Sequence, residues 1–331
     1  MCPDLPESAP SSPRRQQGPS LLADLGGTNA RFALVGANGA IRHESVLRVA
    51  SYPSLASAIG AYLDEVDPDR PPREAALAIA CPIRGDWVEM TNHAWAFSIS
   101  ELKEALAFDR LEVINDFSAQ ALAIPHLSPR DVVQIGNGER LLDYPIGVLG
   151  PGTGLGVGSL IPTKTGWRAI PGEGGHVTMA PIDDRQADVL AHLRRRYTHV
   201  SAERVLSGMG MVNLYETLAA LDGIDAPVRE PAAITEAALA GSDRQCIEAV
   251  AMFCAMLGTV AGNLALTLGT FGGVFIAGGI APRLGQHFID SSFRESFLAK
   301  GRFRGYLDQI YTGLVVNRTP AFLGLRGVLQ E

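Results

Sequence analysis

Two hydrophobic periods alternate along the chain. Short runs rich in Leu, Val, Ile and Ala predict strands at 21–24, 31–35, 41–49, 75–80, 111–114, 146–150, 155–161, 274–277 and 314–316. Between them, apolar residues spaced three and four apart predict helices at 55–66, 101–107, 117–124, 184–197, 211–221 and 234–240. Ser54 and Ser100 precede the first two, where a hydroxyl can accept an unpaired backbone N–H. Strands interleaved with helices make an α/β chain.

The longest apolar stretch, between Glu248 and Arg283, has 34 residues without Asp, Glu, Lys or Arg. A membrane span needs about 20 apolar residues, but seven glycines and Asn263 interrupt this stretch. It divides into a buried helix over 246–268, a glycine turn and the strand at 274–277, so no membrane partner is expected. Residues 1–20 are rich in Pro and Ser, lack any apolar period, and are expected to form a disordered tail.

At 331 residues the chain is long enough for about two domains. With 28 Lys and Arg against 35 Asp and Glu, the net charge is −7, which leaves no basic stripe for nucleic acid. Four cysteines without C-x-x-C spacing argue against a disulfide framework or a zinc site, and place the chain in a reducing, cytoplasmic compartment.

Residues 23–35 (ADLGGTNARFALV) and 148–160 (VLGPGTGLGVGSL) both read as strand, Gly-Thr turn, strand. The Gly-Thr pairs lie 125 residues apart, about one domain length, which suggests a duplicated, two-lobed architecture. From Gly150 to Gly158 every second residue is glycine, so one strand face has no side chains. Gly150-Pro151-Gly152-Thr153 fits a type II turn, with positive φ at Gly152. Gly152, Thr153 and Gly154 can then aim N–H groups and a hydroxyl at a phosphate. Gly26, Gly27, Thr28 and Asn29 offer the same donors, and Asp24 adds a carboxylate to face a phosphate-bound cation. The alternative is a pair of ordinary β-turns. Neither loop is a P-loop, because no G-x-x-x-x-G-K-[ST] occurs. Gly278 and Gly279 close the strand at 274–277, where a base or ribose can approach, or where the chain simply makes a left-handed turn.

Asn115 and Asp116 stand between a strand and a helix, as a cap or as chemistry. Glu173 and His176 lie in the glycine-rich loop PGEGGHV, and Glu203 follows in HVSAERVLSG. Ionised carboxylates accept hydrogen bonds only, which suits the hydroxyls of a sugar, and Asp116 can take a hydroxyl proton as general base.

Taken together, DLGGTNAR at 24–31, TNHAWAFS at 91–98, INDFSA at 114–119, GPGTGLGVG at 150–158, PGEGGHV at 171–177, HVSAERVLSG at 199–208 and the segment 262–283 resemble the bacterial ATP-dependent glucokinases of the proteobacterial type. The resemblance implies the two-lobed actin/hexokinase/Hsp70-like (ribonuclease H-like) fold with a central cleft. The small lobe would hold 21–126 with 317–331, and the large lobe 127–316. It also implies a homodimer that uses ATP with Mg²⁺ to phosphorylate D-glucose, the first step of glycolysis. By the same resemblance Asn115, Asp116, Glu173, His176 and Glu203 bind the sugar, with Asp116 as base. Gly26, Gly27, Thr28, Gly152, Thr153 and Gly154 would hold phosphates, and Gly278 and Gly279 would lie near the adenosine. A kinase of the repressor/sugar-kinase family is the rival enzyme, but its Cys-rich zinc motif cannot be built from four scattered cysteines. A sugar sensor would need an added DNA-binding module, and a filament protein would leave the Asp/Glu/His group without a purpose.

Overall fold

The computed structural model describes residues 18–90 and 95–330. The expected tail therefore falls almost wholly outside the described residues, as does TNHA at 91–94. Its final residue, Ser20, already belongs to the first strand.

Among the described residues, thirteen strands form three sheets. The first half of the chain contributes β1 (Ser20–Leu25), β2 (Asn29–Val35), β3 (Ile41–Arg48), β4 (Glu74–Ile79), β5 (Trp87–Glu89), β6 (Ala96–Ser98) and β7 (Arg110–Asn115). The second contributes β8 (Val132–Ile135), β9 (Ile146–Pro151), β10 (Leu155–Thr163), β11 (Gly166–Ile170), β12 (Val274–Ile276) and β13 (Thr312–Val315). The helices are α1 (Leu55–Val66), α2 (Ile99–Ala105), α3 (Asp116–Ala123), α4 (Asp184–Leu193), α5 (Gly208–Leu221), α6 (Pro231–Leu239), α7 (Arg244–Leu268), α8 (Ile280–Leu284), α9 (Gln286–Ile289), α10 (Phe293–Leu298), α11 (Arg304–Asp308) and α12 (Pro320–Gln330).

The first sheet has the order β3-β2-β1-β4-β7, an antiparallel meander β1–β2–β3 joined to parallel β4 and β7. The second has the order β11-β10-β9-β12-β13-β8. Its meander β9–β10–β11, followed by parallel β12 and β13, repeats the first arrangement, with β8 added antiparallel at the edge. The repeated order supports the duplication suggested by the Gly-Thr turns, each of which joins the first two strands of a sheet. Parallel strands buried on both faces are apolar, as β12 is throughout and β4 is after Glu74.

α3 and α12 join the two sheets. α3 leaves β7 of the first sheet and packs on β9, β10 and β11 of the second; α12 follows β13 of the second and packs on β1 and β4 of the first. The two helices cross where Gly324 meets the Ala119 carbonyl, and any side chain at 324 would overlap that oxygen.

The structure moves several boundaries. Ser98, not Ser100, caps α2: its Oγ accepts the Glu101 N–H at 3.1 Å, while Ser100 bonds Asp86 from within the first turn. α4 ends at Leu193, four residues before the expected 197. The pattern leaves out β5, β6, β8, β11 and the short helices between 280 and 308. These elements are too brief for a period to show. It also leaves out α12, whose Gly324 and Gly327 weaken the helical signal although Pro320 marks a helix start.

The stretch read as a buried helix is α7. By length and composition it could cross a membrane, yet it is mostly buried against α5, α6 and α10. Gly258 lies against the Phe293 carbonyl of α10. Alanine in a helix interior gains about 1 kcal/mol over glycine, but overpacking costs about 1–3 kcal/mol. Gly258→Ala should therefore lower the urea midpoint without changing the slope of the transition. A raised midpoint would show slack between α7 and α10.

Candidate active site

The parallel register of β1, β4 and β7 brings Leu25, Ile79 and Asn115 side by side at one edge of the first sheet. In open α/β sheets this carboxyl edge is where ligands collect. Asp24 lies there on β1, directly across the hairpin from Arg31, whose Nη1 is 3.1 Å from its carboxylate. Burial pushes the Asp24 carboxyl up, and Arg31 offsets this only in part.

Asp116 is the first residue of α3. Burial and then the nearby charge of Asp24 raise its pKa; N–H donation from the Phe117 amide at 2.7 Å opposes them, Glu173 adds a smaller push, and the result is about 6. Asp24, Asp116 and Glu173 thus share one electrostatic site. The Cys81 thiol is buried beside it and is pushed up by burial and by Asp116.

Asn115 is the helix cap. Its Oδ1 accepts the N–H groups of Phe117 at 2.9 Å and Ser118 at 3.1 Å. Its Nδ2 donates to Asp116 Oδ1 at 3.1 Å and to the Cys81 carbonyl at 3.4 Å. The choice between cap and chemistry thus resolves by position: Asn115 caps, and its amide steadies the acid beside it.

The first Gly-Thr loop turns over residues 26–28, closed by Gly26 N–H to the Asn29 carbonyl at 3.0 Å, with Thr28 exposed at its tip. The second turns over 152–154, closed by Gly152 N–H to the Gly154 carbonyl at 2.8 Å, and Thr153 is exposed. The expected type II turn is not formed, because Gly152 does not have positive φ. Pro151 still pairs with Leu155 as the last residue of β9, which moves the turn one residue further along. The Gly152 carbonyl accepts the Gly208 N–H at 2.8 Å, fastening this hairpin to the start of α5.

The side-chain-free face of this hairpin has an occupant. The Phe117 ring lies where side chains at Gly150 and Gly156 would be, and a Cβ at Gly158 would be 3.3 Å from it. Only the tip glycines, 152 and 154, remain for a ligand. Beside the tip, Glu203 Oε2 accepts the Leu155 N–H at 2.9 Å, and a Cβ at Gly154 would come within 2.5 Å of it.

Gly174 packs on Val157 and Gly175 on the Leu155 carbonyl, which seats the 171–176 loop against β10. The loop presents Glu173 and His176 to solvent. His176 and Glu203 line a cavity of about 360 Å³ with Tyr197, His199, Ser201 and Arg204. Gly278 adopts the left-handed turn at φ +76° and lies against the backbone of Gly150 and Pro151, whereas Gly279 faces open space.

All the residues singled out in the sequence therefore lie around the carboxyl edge of the first sheet or the β9–β10 hairpin. Arg31 and Phe117 belong with them and were not singled out. Arg31 was legible, since a hairpin closed on GGTN puts it opposite Asp24. Phe117 has no local signal, because its partner glycines lie more than thirty residues downstream.

The glucokinase family model matches residues 21–331. The glucokinase of Paramagnetospirillum magneticum is 52% identical over 312 residues, covering 94% of this chain and 97% of its own length. The bifunctional protein glk of Burkholderia pseudomallei is 51% identical over 325 residues, which is 98% of this chain but 50% of that protein. The crystal structure of a glucokinase from an Antarctic psychrotroph superimposes with a TM-score of 0.86 at 39% identity, covering 95% of this chain and 99% of that one. Its neighbours share the actin-like fold, in keeping with the repeated sheet order. Similarity of this depth, running through both sheets and all the loops of the site, shows that the chain belongs to the glucokinase family.

Proposed function

We propose that the protein transfers the γ-phosphoryl group of ATP to the C6 hydroxyl of D-glucose, giving glucose 6-phosphate and ADP. The observation that carries this reading is the Asp116 carboxylate, half-buried near Asp24 at the strand ends, with a pKa raised to about 6, and joined through Phe117 to the base of the hairpin whose tip is 152–154.

Phosphoryl transfer depends on in-line positioning and on stabilising spread negative charge. Asp116 accepts the proton of the C6 hydroxyl as that oxygen attacks phosphorus, and its raised pKa makes it a better base near neutral pH than an ordinary carboxylate. Glu173, His176 and Glu203 hold the other sugar hydroxyls, with Asn115 supporting Asp116. The N–H groups and hydroxyls of the two Gly-Thr hairpins hold the phosphates, and the open space at Gly279 leaves room for the adenosine. Two partly buried carboxylates, with Arg31 the one cation paired to them among the described residues, fit a hard cation, and Mg²⁺ takes one or two carboxylates together with phosphate oxygens. Asp24, with Asn29 beside the first hairpin, would hold it, and it would neutralise charge on the phosphates. Closure of a small lobe (21–126 with 317–331) on a large one (127–316) excludes water, a competing nucleophile. The passage of α3 and α12 between the sheets supports these boundaries. Family resemblance supports a cytoplasmic homodimer.

Asp116→Asn keeps the shape and removes the base. Its kcat should fall by about 100- to 10,000-fold. A loss of less than about threefold would mean that Asp116 only starts a helix. In the wild type, kcat/KM should fall below pH 6, where Asp116 takes up its proton.

The same acid should cost stability. Its folded pKa of about 6 exceeds the ordinary 3.8, so the penalty is absent below pH 3.8 and complete above pH 6. Asp116→Asn should be more stable than wild type at pH 8, by on the order of 2 kcal/mol, with the difference vanishing toward pH 4. Urea midpoints across this range test it, and equal midpoints at pH 8 would contradict the burial argument.

Glu173→Gln should weaken glucose binding by about 1–3 kcal/mol, since an amide donor then faces hydroxyl donors. It should leave ATP-analogue binding unchanged. Glu203→Gln should affect both, because Glu203 also holds the hairpin through Leu155. Calorimetry with each ligand separates these outcomes, and unaltered glucose affinity in both variants would remove the acids from the sugar site.

A further inference from the structure

Phe117 joins two things that nothing else in the sequence connects. Its amide donates to Asp116 Oδ1 at 2.7 Å. Its ring rests on Gly150 and Gly156, which face each other across the base of the hairpin whose tip is 152–154. The ring is buried among Ile146, Val148, Leu160, Phe275 and Val315 of the second sheet. Ala119, two residues on, is buried instead with Leu22, Ala33 and Ala76 of the first sheet and Phe322 of α12. One face of α3, with Phe117 and Ala121, is therefore packed on the second sheet, while Ala119 on another face is packed on the first.

This arrangement leaves the ring almost no lateral freedom. A methyl group at Gly150 or Gly156 would overlap it, and the Gly278 backbone, itself in a left-handed turn, closes the same corner from β12. A ring held against two facing glycines sets where the residue's own backbone N–H points, and that N–H is bonded to the Asp116 carboxylate. Ordinary core filling needs an apolar group of similar volume. It does not need three glycines cleared beneath one ring, with each lost side chain a lost contact.

We propose that Phe117 is a positioning residue: its ring, keyed onto Gly150 and Gly156, fixes the placement of the Asp116 carboxylate relative to the phosphate hairpin. The inference rests on the reading of Asp116 as base and of the hairpin as phosphate-binding. It predicts that disturbing the key costs turnover more than affinity, since the contacts to each ligand stay in place while their mutual geometry loosens.

The test uses the full-length enzyme and a set of four variants: Phe117→Leu, Phe117→Ala, Gly156→Ala and the double variant Phe117→Ala/Gly156→Ala. Glucose calorimetry gives the concentration of competent sites, so that kcat is counted per folded molecule. Phe117→Ala and Gly156→Ala should each lower kcat by about 10- to 100-fold, with both KM values within about threefold. Phe117→Leu should retain more activity than Phe117→Ala. In the double variant the methyl at 156 refills part of the space left by the ring, so kcat should exceed the product of the single effects. The acid limb of the kcat profile should also move to lower pH in Phe117→Ala, as water reaches Asp116; Asp24, Arg31, Glu173 and Cys81 face the same carboxyl and are unchanged in every variant.

Folded Phe117→Leu and Gly156→Ala with kcat within threefold of wild type and an unmoved acid limb would reduce Phe117 to core filling and overturn the proposal, whatever happens to thermal stability. If Phe117→Ala does not fold, those two variants decide alone. Asp116→Asn in the same assay separates the two readings. Full activity there removes the base and the function with it, whereas a large loss there with no effect at Phe117 or Gly156 removes only the positioning role.

Discussion

The structure depends on holding two carboxylates close to each other and partly out of water. Asp24 and Asp116 each resist ionising in this setting, and Arg31 is the one cation paired with them among the described residues. Such a site persists only if the scaffold holds it by other means. It is built on the central parallel strands of the first sheet, where backbone pairing fixes Asp24, and on a helix cap, where Asn115 spends its whole amide on local bonds. The hydrophobic contacts of α3 with both sheets then supply the stability that the acids subtract. A carboxyl whose pKa is raised to about 6 follows directly from this placement, and so does its cost to stability.

Glycine is used here in three physically distinct ways. Gly278 adopts a backbone conformation that other residues enter only with strain, and so brings the end of β12 against the hairpin. Gly150 and Gly156 are emptied for another residue's ring. Gly154 and Gly175 let a carboxylate and a loop approach the backbone of β10 more closely than any side chain would permit. A run of alternating glycines in the sequence looks like one motif with one purpose, but each position answers to a different neighbour. That is why Gly152, the one expected to need positive φ, has ordinary backbone geometry and open space around it.

Much of the frame was legible because it is local. The central strands and α1 follow from period and capping alone, and α1 begins and ends where the pattern places it, with Ser54 and Ser57 forming a reciprocal cap. The candidate residues were legible because Gly-Thr turns, a strand-to-helix Asn-Asp and a glycine-rich loop with an acid are local signals too. What escaped is set by distant partners. Ser98 rather than Ser100 caps α2 in a cluster where Asp86, from another loop, accepts hydrogen bonds from both hydroxyls and from the Ser100 N–H. α12 was obscured by Gly324, which is small because α3 passes beside it. Phe117 reads as one more apolar residue until its glycine seat is seen.

The duplicated sheets also show how a symmetric frame yields an asymmetric site. The offset of 125 residues that aligns Gly27 with Gly152 aligns Asp24 with Leu149, but the second hairpin is one residue longer, so the residue across from Leu149 is Val157. In the first sheet the facing positions hold the ion pair Asp24–Arg31 at the mouth of the hairpin. In the second, Leu149 and Val157 are both buried, and Gly156 beside them lies under the Phe117 ring. Charge occupies the facing positions in one sheet and apolar packing in the other. The bare glycines beside that packing make room for a helix that follows the first sheet to rest on the second, and that helix carries Asp116 at its start. An arginine at 156 would leave the ring without a seat, and α3 could not approach. The missing side chain at 156 is therefore a condition for placing Asp116 where it lies.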